Sequence, residues 1–329
     1  MQRKGYERKV WYEYSYHYTG NVDCMSEWSR LMQTNALCIV ILAVFSGTSG
    51  ADESWEKSEG ILITSDACDF AVYDDYVSIC DLSSLLERMG NRTLMSNLSI
   101  RIYRMDPEGS LSPDAILPVA EVLYITDGSL RLKTDDEEIR AEKDEAVYIP
   151  PHKIRIFENA ANETLQFYSF IDWSLASDNN NTSEMHLFST PEEAQNRTRV
   201  ISEDQITPLD RGDTDTNRSF QFSRLLHPRE GPYAIGFDVG TAHIPSGSGV
   251  PDHYIDDRYQ LMSVREGSGT ISVGCHEYPL AKDDIMYIAP GAVMNLTADE
   301  DMHLMVLMNP YYQEMFDYEM PYACDYVYS

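Results

Sequence analysis

The sequence predicts an all-β protein built from two tandem units. Three observations support this prediction: a stretch of sequence that occurs twice, short strand-like segments that end at glycine or proline turns, and the lack of sustained helical periodicity. A chain of 329 residues is long enough for two domains, each with a sizeable hydrophobic core. The aromatic residues are dominated by 22 Tyr, which favours strands and hydrogen-bonding surfaces over a helical bundle.

The internal repeat rests on two pairs of matching segments. Residues 121–128 (EVLYITDG) match residues 260–267 (QLMSVREG), and residues 143–151 (KDEAVYIPP) match residues 282–290 (KDDIMYIAP). The offset is the same for both pairs, because 260 − 121 and 282 − 143 both equal 139. Two separate matches that share one offset without a gap indicate a duplicated unit.

Each unit has the strand pattern of a β-sandwich or barrel. Short apolar runs end at glycine turns, alternating segments follow them, and a strongly apolar strand closes the unit. The expected strands are residues 122–125, 129–133, 146–149 and 165–171 in the first unit, and 261–264, 270–273, 285–288 and 303–308 in the second. One short capped helix is expected at residues 81–89.

Both units also carry the spacing of a known pair of motifs, G-x5-H-x-H-x3,4-E-x6-G followed by G-x5-P-x-G-x2-H-x3-N. The second unit places Gly247, His253, Ile255, Gln260 and Gly267 on the first motif, and Asp283, Ala289, Gly291, Met294 and Ala298 on the second. The first unit keeps Glu121, Gly128, Pro150 and Asn159. Over roughly residues 95–172 and 233–310 the chain thus resembles the cupin superfamily. The resemblance implies two tandem cupin-type jelly-roll β-barrels with minor short helices, that is, a bicupin.

This interpretation divides the chain into six segments. They are an upstream segment with a secretory signal peptide (1–51), an N-terminal extension (52–94), a first barrel (95–176), a polar glycosylated connector with one strand near residues 199–201 (177–232), a second barrel (233–310) and a Tyr-rich tail (311–329).

The positions that bind metal in the cupin family are largely replaced. Cupins hold Mn, Fe, Ni or Zn with three His and one carboxylate, whereas the first unit has Asp114 and Ile116 at two His positions and Arg155 at the third. Arg155 beside Glu121 favours an internal ion pair over a cation site. The second unit keeps His253 and has Gln260 at the carboxylate position, and Ile255 and Met294 are expected to face inward. We therefore predict no cofactor.

The alternative is a metal-dependent cupin oxidoreductase, lyase or isomerase with a modified site in the second barrel. A divalent metal would then be held by His253 and Gln260 with help from Asp256 or Asp257. Some cupins act without metal through a His base and a Tyr acid, and His253 with Tyr254 or Tyr259 could imitate that pair.

The chain is strongly acidic, with 25 Lys and Arg against 54 Asp and Glu and a formal net charge of −29. Such a charge argues against nucleic acid or anionic lipid as a partner and favours a hydrated surface. The sequence also has no glycine-rich phosphate loop before a helix and no G-x-S-x-G nucleophile elbow.

An apolar run of ten residues, 36–45, is too short to span a membrane, which takes about 20 residues. Small residues and then acidic residues follow it, as in a secretory signal peptide cleaved near Gly50 or Ala51. A buried core segment is the alternative. We expect translation to begin at Met25 or Met32 and the mature chain to have no membrane span.

Two further features support a secreted, extracellular or cell-surface protein. Four Cys follow the predicted cleavage site, and we expect the disulfides Cys68–Cys80 and Cys275–Cys324 because each joins neighbouring segments. Eight of the 13 Asn begin an N-x-[ST] triplet, where chance gives about two. The predicted N-glycosylation sites are Asn91, Asn97, Asn162, Asn180, Asn181, Asn196, Asn217 and Asn295.

The sequence therefore predicts a secreted, glycosylated, non-catalytic bicupin that binds a ligand, such as carbohydrate, or assembles with itself. The tail at residues 311–329 has the aromatic composition of an interface, and packing across its own barrel is the alternative. Plant storage globulins are bicupins that have lost their metals and assemble, and the resemblance to them is one of architecture.

Overall fold

A computed structural model describes residues 59–89, 97–113, 115–176, 196–213 and 218–319. Several predictions lie outside these residues: the signal peptide and the start at Met25 or Met32, Asp114, the disulfide partner Cys324, and the sequons at Asn91, Asn180, Asn181 and Asn217. Within the described residues, no helix is long and apolar enough to cross a membrane.

The described residues contain 23 strands and one α-helix, as the sequence predicts for an all-β protein. The helix is α1 (Leu82–Arg88). In chain order the strands are β1 (Gly60–Ile63), β2 (Ala71–Val72), β3 (Val77–Asp81), β4 (Leu98–Met105), β5 (Ser110–Leu111), β6 (Glu121–Asp127), β7 (Ser129–Lys133), β8 (Glu138–Glu142), β9 (Glu145–Ile149), β10 (Ile156–Asn159), β11 (Leu165–Asp172), β12 (Arg199–Ser202), β13 (Leu209–Asp213), β14 (Arg218–Leu226), β15 (Asp238–Ile244), β16 (Gly249–Ile255), β17 (Tyr259–Glu266), β18 (Gly269–Val273), β19 (His276–Leu280), β20 (Ile285–Ile288), β21 (Met294–Ala298), β22 (Met302–Asn309) and β23 (Asp317–Glu319).

These strands form two barrels, each made of a seven-stranded sheet and a smaller sheet. In barrel 1 the orders are β12-β9-β6-β11-β4-β3-β2 and β5-β10-β7-β8. In barrel 2 they are β1-β20-β17-β22-β15-β14-β13 and β19-β18-β21-β16-β23. All paired strands are antiparallel, and all eight strands predicted from the repeat are present.

Matching turns explain why the repeat is visible in the sequence. Gly128 and Gly267 both have positive φ, 77° and 82°, and a Cβ at Gly128 would lie 2.9 Å from the Leu165 Cα. Only glycine adopts this conformation without cost. The proline corner shows the same correspondence, because His152 and Gly291 stand 139 residues apart and have φ of 62° and 76°.

The first strand of each unit is exchanged between the barrels. β1 pairs with β20 of barrel 2, whereas β12 pairs with β9 of barrel 1. The two strands are themselves repeat partners, since 199 − 60 again equals 139. Each barrel is therefore completed by a strand that precedes the other one in the chain.

This exchange corrects the domain limits expected from the sequence. The extension, 52–94, supplies β1 to barrel 2 and β2, β3 and α1 to barrel 1. The connector, 177–232, contains the expected strand at 199–201 as β12, but it also supplies β13 and β14 to barrel 2. Each repeat unit begins before its recognisable motifs. The two copies share few residues in this first part, so a comparison of the sequence with itself does not show where each unit starts.

A hydrophobic cluster joins the two seven-stranded sheets. Side chains alternate along each strand, so that Leu123 lies in the core of barrel 1 while Val122 and Tyr124 belong to the cluster between the barrels. Arg265, which is 1% exposed, crosses this interface and donates a hydrogen bond to the carbonyl of Thr126, its repeat partner. The central strands are thus buried on both faces, which explains their uninterrupted apolar sequence.

Helix α1 lies close to its predicted position. The Asp81 carboxylate accepts a hydrogen bond from the Ser84 amide at 3.0 Å, which caps the helix, and Leu82 and Leu86 are buried. The predicted disulfide Cys68–Cys80 is formed, with a Cα–Cα distance of 5.9 Å. Cys275 is exposed.

Candidate functional site

The core of barrel 1 contains a buried ion pair where the cupin motif places metal ligands. Arg155 Nη1 lies 3.0 Å from Glu121 Oε2, and both side chains are at most 5% exposed. Arg155 Nη2 also donates to the Ala115 carbonyl at 2.7 Å, and the Ser169 hydroxyl donates to Glu121 Oε1 at 2.5 Å. The predicted ion pair is confirmed, and its guanidinium opposes a cation at this position.

Three aromatic side chains pack together among the aliphatic side chains of the barrel 1 core. Tyr103 stacks on Phe167 with ring centroids 4.9 Å apart, and Phe157 meets Phe167 edge-on at 5.6 Å. Burial, together with the nearby Glu121 carboxylate, raises the pKa of Tyr103. The Asn159 amide donates to the carbonyls of Met105 and Glu163, so it stabilises the turn.

Barrel 2 has smaller side chains at the corresponding positions. Tyr103 lies opposite Phe167 in barrel 1, whereas Ala242 lies opposite Leu304 in barrel 2, and Tyr103 and Ala242 are 139 residues apart. A cavity of about 110 Å³ remains there. Its lining is mostly apolar and consists of Arg211, Phe220, Phe222, Arg224, Ala242, Val250, His253, Ile255, Gln260, Met262, Leu304, Val306, Met308, Tyr312 and Asp317.

Two residues singled out from the sequence, His253 and Gln260, line this cavity. Gln260 is 2% exposed, and His253 is half-buried with Nδ1 2.9 Å from the Pro251 carbonyl oxygen. Ile255 and Met294 face the core of barrel 2, as predicted. Of the residues predicted from the sequence, one imidazole and one amide thus line the same cavity, whose other polar side chains are Arg211, Arg224, Tyr312 and Asp317.

The other candidates for chemistry lie elsewhere. Tyr259 precedes Gln260 on β17 and thus points the opposite way, into the core between the barrels, where its hydroxyl accepts a hydrogen bond from Asn309 Nδ2 at 2.6 Å. Tyr254 stacks on Tyr318 with centroids 5.0 Å apart, and Asp256 is exposed. None of these three residues lines the cavity with His253.

The residues present do not fit the metal that the cupin fold implies. No group of three or more His, Cys, Asp or Glu in the described part of the chain is placed to hold a metal ion. In barrel 2 the side chains of Ile255 and Met294 supply no oxygen or nitrogen ligand, and in barrel 1 the Arg155 guanidinium carries a positive charge. We derive no chemistry through a metal.

A segment that we call the strap, residues 311–319, closes one side of the cavity. Its strand β23 pairs with β16 from His253 to Ile255. The Arg258 guanidinium lies 3.8 Å from the centre of the Phe316 ring, and Arg258 Nε donates to the Tyr311 carbonyl at 2.8 Å. For these residues the expected alternative is observed, because the tail packs across its own barrel.

The strap is also held by a buried carboxylate. Asp238 is 4% exposed, and its Oδ2 accepts a hydrogen bond from the Tyr312 amide at 3.0 Å. Burial raises the pKa of Asp238 to about 7, against the opposing effects of that hydrogen bond and of the nearby Arg224. Sequence reasoning missed Asp238, Arg211 and Asp317, because no motif marks them.

The described sequons differ in exposure. Asn97, Asn162 and Asn196 are exposed, as a glycosylated asparagine requires. Asn295 is half-buried, and its Nδ2 donates to Asp252 Oδ1 at 2.7 Å. The atom that would carry a glycan at Asn295 is therefore engaged by the protein.

Comparisons with known proteins agree with this architecture. Residues 101–171 match the cupin domain family. A protein described as glyoxylate-induced from Pseudomonas aeruginosa is 16% identical, with a TM-score of 0.59 over 80% of this chain and 93% of that one. A vicilin from Corylus avellana (hazelnut) is 13% identical, with a TM-score of 0.57 over 76% and 85%. The 7S globulin of Momordica charantia is 15% identical, with a TM-score of 0.56 over 76% and 84%. No curated protein matches the sequence.

The fold and the site thus define a double-barrel protein of the jelly-roll class. The first barrel contains the match to the cupin domain family, and the two-barrel architecture is consistent with a bicupin.

Proposed function

We propose that this protein is a secreted, glycosylated, non-catalytic bicupin that binds a small apolar ligand inside barrel 2. The observation that carries the proposal is the cavity of about 110 Å³, whose walls are mainly aliphatic and aromatic. Ligand sites are concave, mostly apolar and furnished with a few polar groups, and this cavity has that composition.

The His–Tyr pair that the sequence suggested does not meet at the cavity, which supports a non-catalytic role. Of the base and acid candidates predicted from the sequence, only His253 lines the cavity, and neither Tyr254 nor Tyr259 lines it as a partner acid. The shared fold with a vicilin and a 7S globulin supports the same interpretation. Self-assembly through the tail is a weaker candidate, because the strap is already packed against barrel 2.

The proposal is tested by filling the cavity. Ala242→Leu places a larger side chain in the part of barrel 2 that corresponds to the position of the Tyr103 ring in barrel 1. We therefore expect this variant to abolish the binding of a small uncharged probe such as isovaleramide. Tyr103→Phe, at the repeat-related position, is the matched control and should leave binding unchanged. Titration followed by NMR measures both.

Two results would contradict the proposal. One is the failure of the wild-type protein to bind isovaleramide or any other small apolar probe. The other is elemental analysis of the native protein that shows stoichiometric Mn, Fe, Ni or Zn, because a bound metal would favour the enzyme alternative.

A further inference from the structure

Two opposite charges line the barrel 2 cavity without neutralising each other. Arg211 comes from β13 and Asp317 from the strap, and both contribute to the wall of the same cavity. They form no ion pair with each other, and the described residues supply neither a carboxylate partner for Arg211 nor a cationic partner for Asp317. Both side chains are half-buried, so water screens their charges only in part, and a ligand of opposite charge can pair with each of them.

Arg224 and Tyr312, which also line the cavity, already have partners. Arg224 pairs with Glu230 and lies over the Tyr312 ring, 5.4 Å from its centre. The Tyr312 hydroxyl donates to Asp317 Oδ2 at 2.9 Å, which leaves the charge of that carboxylate in place. Arg211 and Asp317 are thus the two charged positions of the lining that a ligand could complete.

Apolar side chains form the rest of the cavity wall. Phe222 and Val250 lie in the core of barrel 2 or against it, as do Ile255, Met262 and Leu304. A cavity of about 150 Å³ accommodates benzene, so the present volume of about 110 Å³ suits a branched aliphatic group. The lining therefore combines one positive position, one negative position and a small apolar chamber.

We infer that the ligand of barrel 2 is a free α-amino acid with a branched aliphatic side chain. This inference rests on the proposed function, because it names the class of ligand for the same cavity. The carboxylate of the amino acid pairs with the Arg211 guanidinium, its ammonium pairs with Asp317, and its side chain enters the apolar chamber. Charge-assisted hydrogen bonds at both ends would account for the two uncompensated groups.

Four probes that share an isobutyl group separate the contributions of the two charges in the full-length protein. They are leucine with both charges, isovalerate with the carboxylate alone, isopentylamine with the ammonium alone and isovaleramide with neither. We expect leucine to bind on the order of tenfold more tightly than either singly charged probe, and isovaleramide to bind most weakly. Isothermal titration calorimetry measures all four.

Two variants assign the charges to their positions. Arg211→Gln should remove the preference for leucine over isopentylamine, and Asp317→Asn should remove its preference over isovalerate, about tenfold in each case. Each variant should lower the affinity for leucine far more than the affinity for isovaleramide, and Tyr103→Phe in barrel 1 is the control that should leave the binding of all four probes unchanged.

The outcomes distinguish this inference from the proposed function. If all four probes bind equally, or if the variants affect leucine and isovaleramide alike, the amino-acid inference is overturned while the cavity remains a ligand site. If isovaleramide and the other three probes all fail to bind to the wild-type protein, the proposed function itself is overturned.

Discussion

The two barrels share one scaffold and differ in what fills it. Both have the same glycine turn, at Gly128 and Gly267, and the same strand order in the centre of the large sheet. Barrel 1 contains an ion pair and an aromatic cluster, whereas barrel 2 has neutral and smaller side chains at the corresponding positions and retains a cavity. The turns and the alternation of side chains therefore define the barrel, and its interior can change without altering that frame.

The edges of the barrels differ as well. The short strand β5 of barrel 1 corresponds to the longer β16 of barrel 2, since 249 − 110 equals 139. Only β16 is extended by the strap, through its pairing with β23. Asp238, which holds the strap, stands where barrel 1 has Ser99. Barrel 2 thus combines an open interior with an added wall, which is the arrangement of a binding site.

The largest effect is expected from breaking the ion pair of barrel 1. Arg155→Met introduces the residue of barrel 2, Met294, and leaves the Glu121 carboxylate buried without a cation. We expect a loss of about 3–5 kcal/mol in the free energy of unfolding. The double variant, which also carries Glu121→Gln, reproduces the neutral pair of barrel 2. It should recover most of the lost free energy of unfolding. Urea denaturation tests this, and a double variant no more stable than Arg155→Met would contradict it.

A somewhat smaller effect is expected from exchanging the packing of the two interiors. Tyr103→Ala removes a ring that stacks on Phe167, and we expect a loss of about 3–4 kcal/mol together with a new cavity in barrel 1. We expect Ala242→Leu in barrel 2 to lower the free energy of unfolding by less than about 1.5 kcal/mol, because the cavity already provides space for the larger side chain. Equal losses measured by thermal or urea unfolding would show that the interiors are not packed differently.

A pH-dependent difference is expected at Asp238. Its pKa is about 7 in the folded protein, whereas an aspartate in an unfolded chain has a pKa of about 3.9. Between about pH 4 and pH 7, Asp238 therefore keeps its proton only in the folded state. Stability therefore falls as the pH rises through this window and is constant above it. Asp238→Asn removes this contribution and preserves an oxygen that can accept the Tyr312 amide hydrogen bond.

The comparison of the two proteins isolates Asp238 from the other carboxylates. As the pH rises from about 4.5 to about 7.5, the free energy of unfolding of Asp238→Asn should increase relative to that of the wild type. The expected increase is on the order of 2–3 kcal/mol. Denaturant unfolding at several pH values measures the difference. Parallel pH profiles for the two proteins would show that Asp238 ionises at its ordinary pKa.

The smallest effect is expected from loosening the strap. Tyr318→Ala removes the ring that stacks on Tyr254, and because Tyr318 is 42% exposed we expect a loss of only about 0.5–1.5 kcal/mol. Tyr73→Ala, at a tyrosine that is 56% exposed in barrel 1, is the matched control. An equal change in melting temperature for both variants would mean that the stacking on the strap contributes nothing.

Much of the fold could be predicted from local and periodic signals. The glycine turns, the alternating strands and the single offset predicted eight strands and two barrels, and all are present. The same spacing located Arg155 beside Glu121 and the inward positions of Ile255 and Met294. These features depend on residues close together in the sequence, or on a repeat that compares the chain with itself.

The domain limits and the site could be predicted only in part. The exchange of β1 and β12 could not be predicted, because the residues of a strand do not determine which other strand it pairs with. His253 and Gln260 were located, but Tyr259 was grouped with them although it follows the opposite face of its strand. Arg211 and Asp317 belong to no motif, and they meet only when β13 and the strap are folded onto barrel 2.

The sequence by itself determined the duplication, the all-β architecture and the loss of the metal ligands, because turns, periodicity and residue identity are local properties. Only the tertiary structure decided that aromatic rings pack inside barrel 1 and that barrel 2 has a cavity. The free volume inside a barrel depends on the side chains of all the strands that face each other. The small side chain of Ala242 therefore predicts a cavity only when the residues opposite it are known. A candidate binding site therefore emerged from a difference between two copies of the same unit.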